Sequence, residues 1–84
     1  MRVLVVEDSA RLRAAVAKAL RRSGYVVDEA DNGEDGLWRA REFAYDAVVL
    51  DLMLPGDDGL TLLRRLRDAG DDLPVVMLTA KGDA

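Results

Sequence analysis

Four short aliphatic runs, separated by three longer stretches of helical period, constrain this chain more than any other feature. The runs are Val3–Val6, Tyr25–Ala30, Ala47–Leu50 and Val75–Thr79. Such alternation is the pattern of βαβ units and a mainly parallel sheet. The first, third and fourth runs are continuously apolar, as strands covered on both faces are. The second alternates more and reads as an edge strand.

Between the first two runs, Leu12, Ala15, Val16, Ala19 and Leu20 fall at helical spacing, with Arg11, Arg13, Lys18, Arg21 and Arg22 on the wetter face. Gly24 closes that helix. Asn32, with Asp35 three residues on, makes a capping arrangement ahead of Leu37, Trp38, Ala40 and Phe43. Gly36 is a weak point inside this second helix. Leu60, Leu62, Leu63 and Leu66 mark a third helix, opened after Asp57-Asp58-Gly59 and stopped near Gly70.

A chain of 84 residues holds one domain with a modest core. With 50% hydrophobic and 33% charged residues it is globular rather than disordered or coiled-coil. Its formal charge of −4 does not suit a polyanionic ligand, so nucleic-acid binding by this segment is not expected. Cysteine and histidine are both absent. That rules out disulfides, thiolate metal sites and any phosphohistidine step within the chain. The first apolar run is far too short for a signal peptide or a membrane span, and a cytoplasmic protein is expected.

The polar residues that matter follow the strands. Glu7 and Asp8 come after the first, Asp51 after the third, and Thr79 closes the fourth. Doubly wound sheets bind ligands beyond the carboxyl ends of their strands, where the winding reverses. In an order 2-1-3-4 the first and third strands would be neighbours, and three carboxylates would share one crevice. Like charges so placed oppose folding unless a cation or a proton sits among them. Mg²⁺ or Mn²⁺ suits such an oxygen set, whereas Ca²⁺ would want more protein oxygens. A carboxylate can also act as a nucleophile toward phosphorus, and Asp51, fixed at the end of a rigid strand, is best placed for that.

Blander readings stand beside these. Glu7 and Asp8 suit the N-terminus of the first helix as caps. Thr79 alone is uninformative, because threonine suits strands. Asp57 and Asp58 read as solvated or capping residues, Arg64, Arg65 and Arg67 as a wet helix face, Met53 and Met77 as packing side chains, and Trp38 as half-buried. An aspartate-nucleophile phosphatase would carry a second aspartate where Met53 stands, and no Gly-rich P-loop occurs. Enzymatic turnover of outside substrates is therefore not expected.

Val5-Val6-Glu7-Asp8, Asp51-Leu52-Met53-Leu54-Pro55-Gly56 running on through Asp57-Asp58-Gly59-Leu60, and Leu73-Pro74-Val75-Val76-Met77-Leu78-Thr79-Ala80 together resemble a two-component response regulator receiver domain. The central motif further resembles the branch whose members carry a winged-helix transcriptional output domain. The resemblance covers the whole chain and implies a flavodoxin-like, doubly wound α/β sheet of order 2-1-3-4. It implies Asp51 as phospho-acceptor, and Mg²⁺ held by Asp8, Asp51 and the backbone carbonyl of Met53, with Glu7 acting through a metal-bound water. Thr79 would bond the phosphoryl oxygen and bias a two-state switch, and Pro55 and Gly59 would shape the adjoining loop. The implied partner is a histidine kinase, or a small phosphodonor in its place.

Departures from the family are also expected. Residues 1–84 form an incomplete receiver that stops just past the fourth strand, before the family's fifth strand and last two helices. The family's phosphate-contacting lysine and switch aromatic are missing with them, and Lys81 reads as a solvated loop cation. The fourth strand is then an edge beside an uncovered sheet face, and self-association through either is expected. The alternative function is a degenerate receiver that assembles with partners without phosphorylation.

Overall fold

The computed structural model describes residues 1–51, 59–70 and 72–78. Strands β1 (Arg2–Val6), β2 (Val26–Ala30), β3 (Ala47–Asp51) and β4 (Val75–Leu78) alternate with helices α1 (Ala10–Arg22), α2 (Gly33–Glu42) and α3 (Gly59–Asp68). The strands pair in parallel in the order β2-β1-β3-β4. The doubly wound flavodoxin-like sheet expected from the sequence is therefore present, with each strand within a residue of its expected start.

Both faces of the two central strands, β1 and β3, are covered. Leu4, Val6, Val48 and Leu50 pack with Ala40 of α2 and with Leu62 and Leu66 of α3 on one side. Val3, Val5, Val27 and Val49 pack with Ala17 of α1 on the other. This two-sided burial is why β1 and β3 read as unbroken apolar runs. The outer strand β2 leaves Val26 58% exposed, and among the described residues β4 forms the other edge, with Val76 56% exposed.

Helix α1 starts on Ser9, whose hydroxyl accepts the Leu12 amide at 3.3 Å, and ends before Gly24, at φ +94°. A left-handed residue there is cheap only for glycine. The helix is rotated from the expected face. Ala15 and Ala19 are exposed, whereas Ala17 is fully buried and Arg13, Val16 and Leu20 are partly buried. The small Ala17 sits flush on the sheet and turns Arg13 inward from the wet face assigned to it.

Asn32 caps α2 as expected, its side-chain oxygen accepting the Asp35 amide at 2.8 Å. Asp35 and Arg39 add an i,i+4 ion pair at 3.2 Å. Gly36 is more than a weak point, because a Cβ there would lie 2.8 and 2.9 Å from the two methyls of Val6. In α3, Leu62 and Leu66 are buried, but Leu60, expected on the apolar stripe, is 55% exposed. Trp38 is 53% exposed, with its ring edge-on to Phe43.

The end of the sheet away from the acidic residues is tied by Asp28. Its Oδ2 accepts the Tyr45 hydroxyl at 2.6 Å and the Arg2 guanidinium at 3.0 Å. Those bonds, the tyrosine's first, hold the Asp28 carboxyl below its ordinary range. No helix among the described residues is long and apolar enough to cross a membrane.

Candidate acidic metal site

Parallel pairing of β1 with β3 sets Val6 opposite Leu50. The residues that follow therefore leave the sheet side by side, Glu7 and Asp8 from β1 and Asp51 from the last position of β3. One carboxylate oxygen from each of the three lies within 4.8 Å of the others. Glu7 and Asp51 are buried, at 1% and 2% exposure, and Asp8 is exposed at the mouth.

Glu7 departs furthest from ordinary carboxylate behaviour. Its Oε2 accepts the Ser9 amide at 2.8 Å, while Oε1 is buried with no hydrogen-bond partner among the described residues. The Asp8 and Asp51 carboxylates beside it can bond to it only if one of the three holds a proton. Burial foremost, with the neighbouring Asp8 and Asp51 acting in the same direction, raises the Glu7 pKa from 4.5 to about 7, against the lowering pull of the Ser9 amide. A buried orphan oxygen beside two further carboxylates is the donor chemistry that a hard divalent cation satisfies. Nitrogen and sulfur ligands are not available, since the chain has no histidine or cysteine.

The backbone of Glu7 is held from two sides. Its amide donates to the Ala30 carbonyl of β2 at 3.0 Å, and its carbonyl accepts from Arg13 Nη1 at 2.9 Å. Neither Ser9 nor Arg13 was assigned to the site from the sequence. Ser9 carried a readable signal, as a capping serine directly after an acidic pair. Arg13 carried none, because its role depends on the rotation of α1. The capping reading of Glu7 is met only in part, since its side chain reaches the Ser9 amide while Ser9 itself caps the helix. Met53, Pro55, Asp57, Asp58, Thr79 and Lys81 lie outside the described residues. Met77 packs against the α2/α3-side core as expected.

A parallel sheet of this order with three carboxylates at the ends of its two central strands defines a receiver-type α/β domain. The chain belongs to the response regulator receiver domain family, whose sequence profile matches residues 3–84. Among curated relatives, the transcriptional regulatory protein ResD of Bacillus subtilis is 43% identical over 82 residues, covering 98% of this chain and 34% of that protein. The chain thus spans about a third of that relative's length. The response regulator TrrA of Thermotoga maritima, solved in complex with Mg²⁺-BeF, superposes with a TM-score of 0.91 at 36% identity, over 96% of this chain and 70% of that one. TrrA in complex with the histidine kinase ThkA gives a TM-score of 0.89 at 35% identity, over 98% and 71% of the two chains.

Proposed function

We propose that Asp51 accepts a phosphoryl group from a histidine kinase or a small phosphodonor in a Mg²⁺-dependent step, as the regulatory input to a transcriptional output. The observation that carries this reading is the convergence of Glu7, Asp8 and Asp51 within 4.8 Å at the ends of adjoining strands. The Mg²⁺-BeF and kinase complexes of TrrA, and the regulatory name of ResD, support it. A cytoplasmic setting follows from that partnership.

In this reading Asp8, Asp51 and the Met53 carbonyl would hold the ion, and Glu7 would act through a water. An ion held there would supply positive charge to neutralise the transferring group. An oxygen of the Asp51 carboxylate attacks phosphorus, and the bond from phosphorus to the donor's imidazole nitrogen, or to the acetate oxygen of acetyl phosphate, breaks with its electron pair leaving on the donor. Burial of Asp51 limits water at the acyl phosphate so formed. The Thr79 hydroxyl would bond the phosphoryl oxygen.

Intact mass spectrometry after incubation with acetyl phosphate and Mg²⁺ tests this. One phosphoryl adduct is expected, lost in Asp51→Asn and lost again when EDTA replaces Mg²⁺. A folded chain with no adduct would favour the phosphorylation-independent assembly module instead.

The exposed Val76 on β4 supports association of two copies through that strand or the sheet face beside it. Sedimentation at micromolar concentration should show a concentration-dependent dimer, and a monodisperse monomer would count against it.

A further inference from the structure

We infer that Arg13 is a positioning residue for the acidic site, one that fixes the peptide joining Glu7 to Asp8 and so aims the Asp8 carboxylate. This deepens the metal-site reading proposed above and rests on it. Residues 7–9 form no helix or strand, so no ladder of backbone bonds orients the Asp8 side chain. The peptide unit from Glu7 to Asp8 is planar, and fixing its carbonyl oxygen therefore fixes the line along which Asp8 Cα leaves it. Arg13 Nη1 supplies that constraint at 2.9 Å.

Arg13 is itself held. Its Nε donates to Glu29 Oε1 at 3.3 Å, and the other oxygen of Glu29 pairs with Arg21 Nη1 at 3.3 Å. Arg21 Nη2 in turn donates to the Val27 carbonyl at 2.9 Å. Edge strand β2 and helix α1 are thus joined through Glu29 to a single guanidinium, which passes that rigidity to the loop bearing two of the three carboxylates. The Arg13 side chain is 19% exposed, so the Glu7 carbonyl has little competing water. A planar, always-charged fork that bonds a carboxylate and a carbonyl together is a role for arginine that a neutral side chain does not fill.

The test is Mg²⁺ binding by isothermal titration calorimetry, read beside the amide resonance of Asp8 in the metal-free chain. Arg13→Met keeps the apolar stem and removes the donors, and Arg13→Lys keeps a cation with one reachable donor. Arg13→Met should move the Asp8 amide and weaken Mg²⁺ on the order of 10-fold, the usual loss when a group orienting a ligand is removed. Arg13→Lys should recover part of that loss. A merely structural Arg13 would lower the unfolding midpoint yet leave the affinity of the folded chain unchanged, and that result overturns the inference. Should Arg13→Met not fold, Glu29→Gln, which loosens one anchor of the guanidinium, should weaken Mg²⁺ in the same direction by a smaller factor; unchanged affinity there overturns the inference too. Asp51→Asn separates the two readings. If it binds Mg²⁺ as tightly as the parent, or if the parent binds none, the metal site itself falls and Arg13's role with it.

Discussion

Glu7→Gln is expected to raise the stability of the metal-free chain at pH 8 by about 3 kcal/mol, since each pH unit of a raised pKa corresponds to ~1.4 kcal/mol. The side chain is 1% exposed, sits with two other carboxylates, and titrates near pH 7 in the folded chain instead of 4.5. A group whose folded pKa is raised adds stability that is full below the unfolded value and is lost as pH rises through the folded one. Metal-free parental chain should therefore lose stability between pH 4.5 and about 7, through a proton that belongs to the three carboxylates jointly. Glutamine keeps the shape and an oxygen for the Ser9 amide but carries no charge to desolvate. Its profile should be flat over that window, and its midpoint at pH 8 higher on the order of 10 °C for a chain of this size.

Mg²⁺ should act in the opposite sense. The parental chain at pH 8 gains from the ion because the ion replaces the missing proton, and the gain shrinks toward pH 5 as protons compete. Glu7→Gln should gain less. Thermal unfolding from pH 5 to 8, in EDTA and in Mg²⁺, reads all of this. A parental profile in EDTA that does not fall with pH would mean that Glu7 is not the strained group.

Gly36→Val should cost roughly 3 kcal/mol or more, the range of severe overpacking. Helix propensity favours replacing a glycine, and Gly36→Ala in an open helix would gain ~1 kcal/mol. Here the added Cβ would meet Val6 Cγ2 at 2.8 Å and Cγ1 at 2.9 Å. Whether the clash or the propensity wins depends on whether Val6 can move. Val6 is fully buried in a central strand, and its branched side chain is stiff about χ1. The clash wins, so alanine should destabilise mildly and valine strongly. Val6→Ala should relieve part of the cost, making the double variant more stable than the sum of the single changes. Denaturant unfolding checks both, and additive effects would show that α2 can shift away from β1.

Much of this was readable beforehand because its causes are local. Asn32 caps through a bond spanning three residues, and Gly24 and Gly70, at φ +94° and +83°, stop helices for a reason internal to one residue. The failures fall where a neighbour from elsewhere in the chain decides. Ala15 and Ala19 sit at plausible helical spacing, yet the sheet receives Ala17, because the rotation of α1 is set by how closely a small side chain lets it approach. Leu60 fits the stripe of α3 by spacing but lies at the end of its helix, beyond the covering layers.

The sequence by itself determined the alternation of strands and helices, the two-sided burial of β1 and β3, and the placing of Glu7, Asp8 and Asp51 just beyond strands. Those follow from side-chain periodicity and from the cost of burying charge. Only the tertiary structure decided that Glu7 keeps an orphan oxygen, that Gly36 is required by Val6, and that Arg13 points inward to the Glu7 carbonyl. Each of these depends on a contact between residues on different elements, whose distance is fixed only when the layers pack.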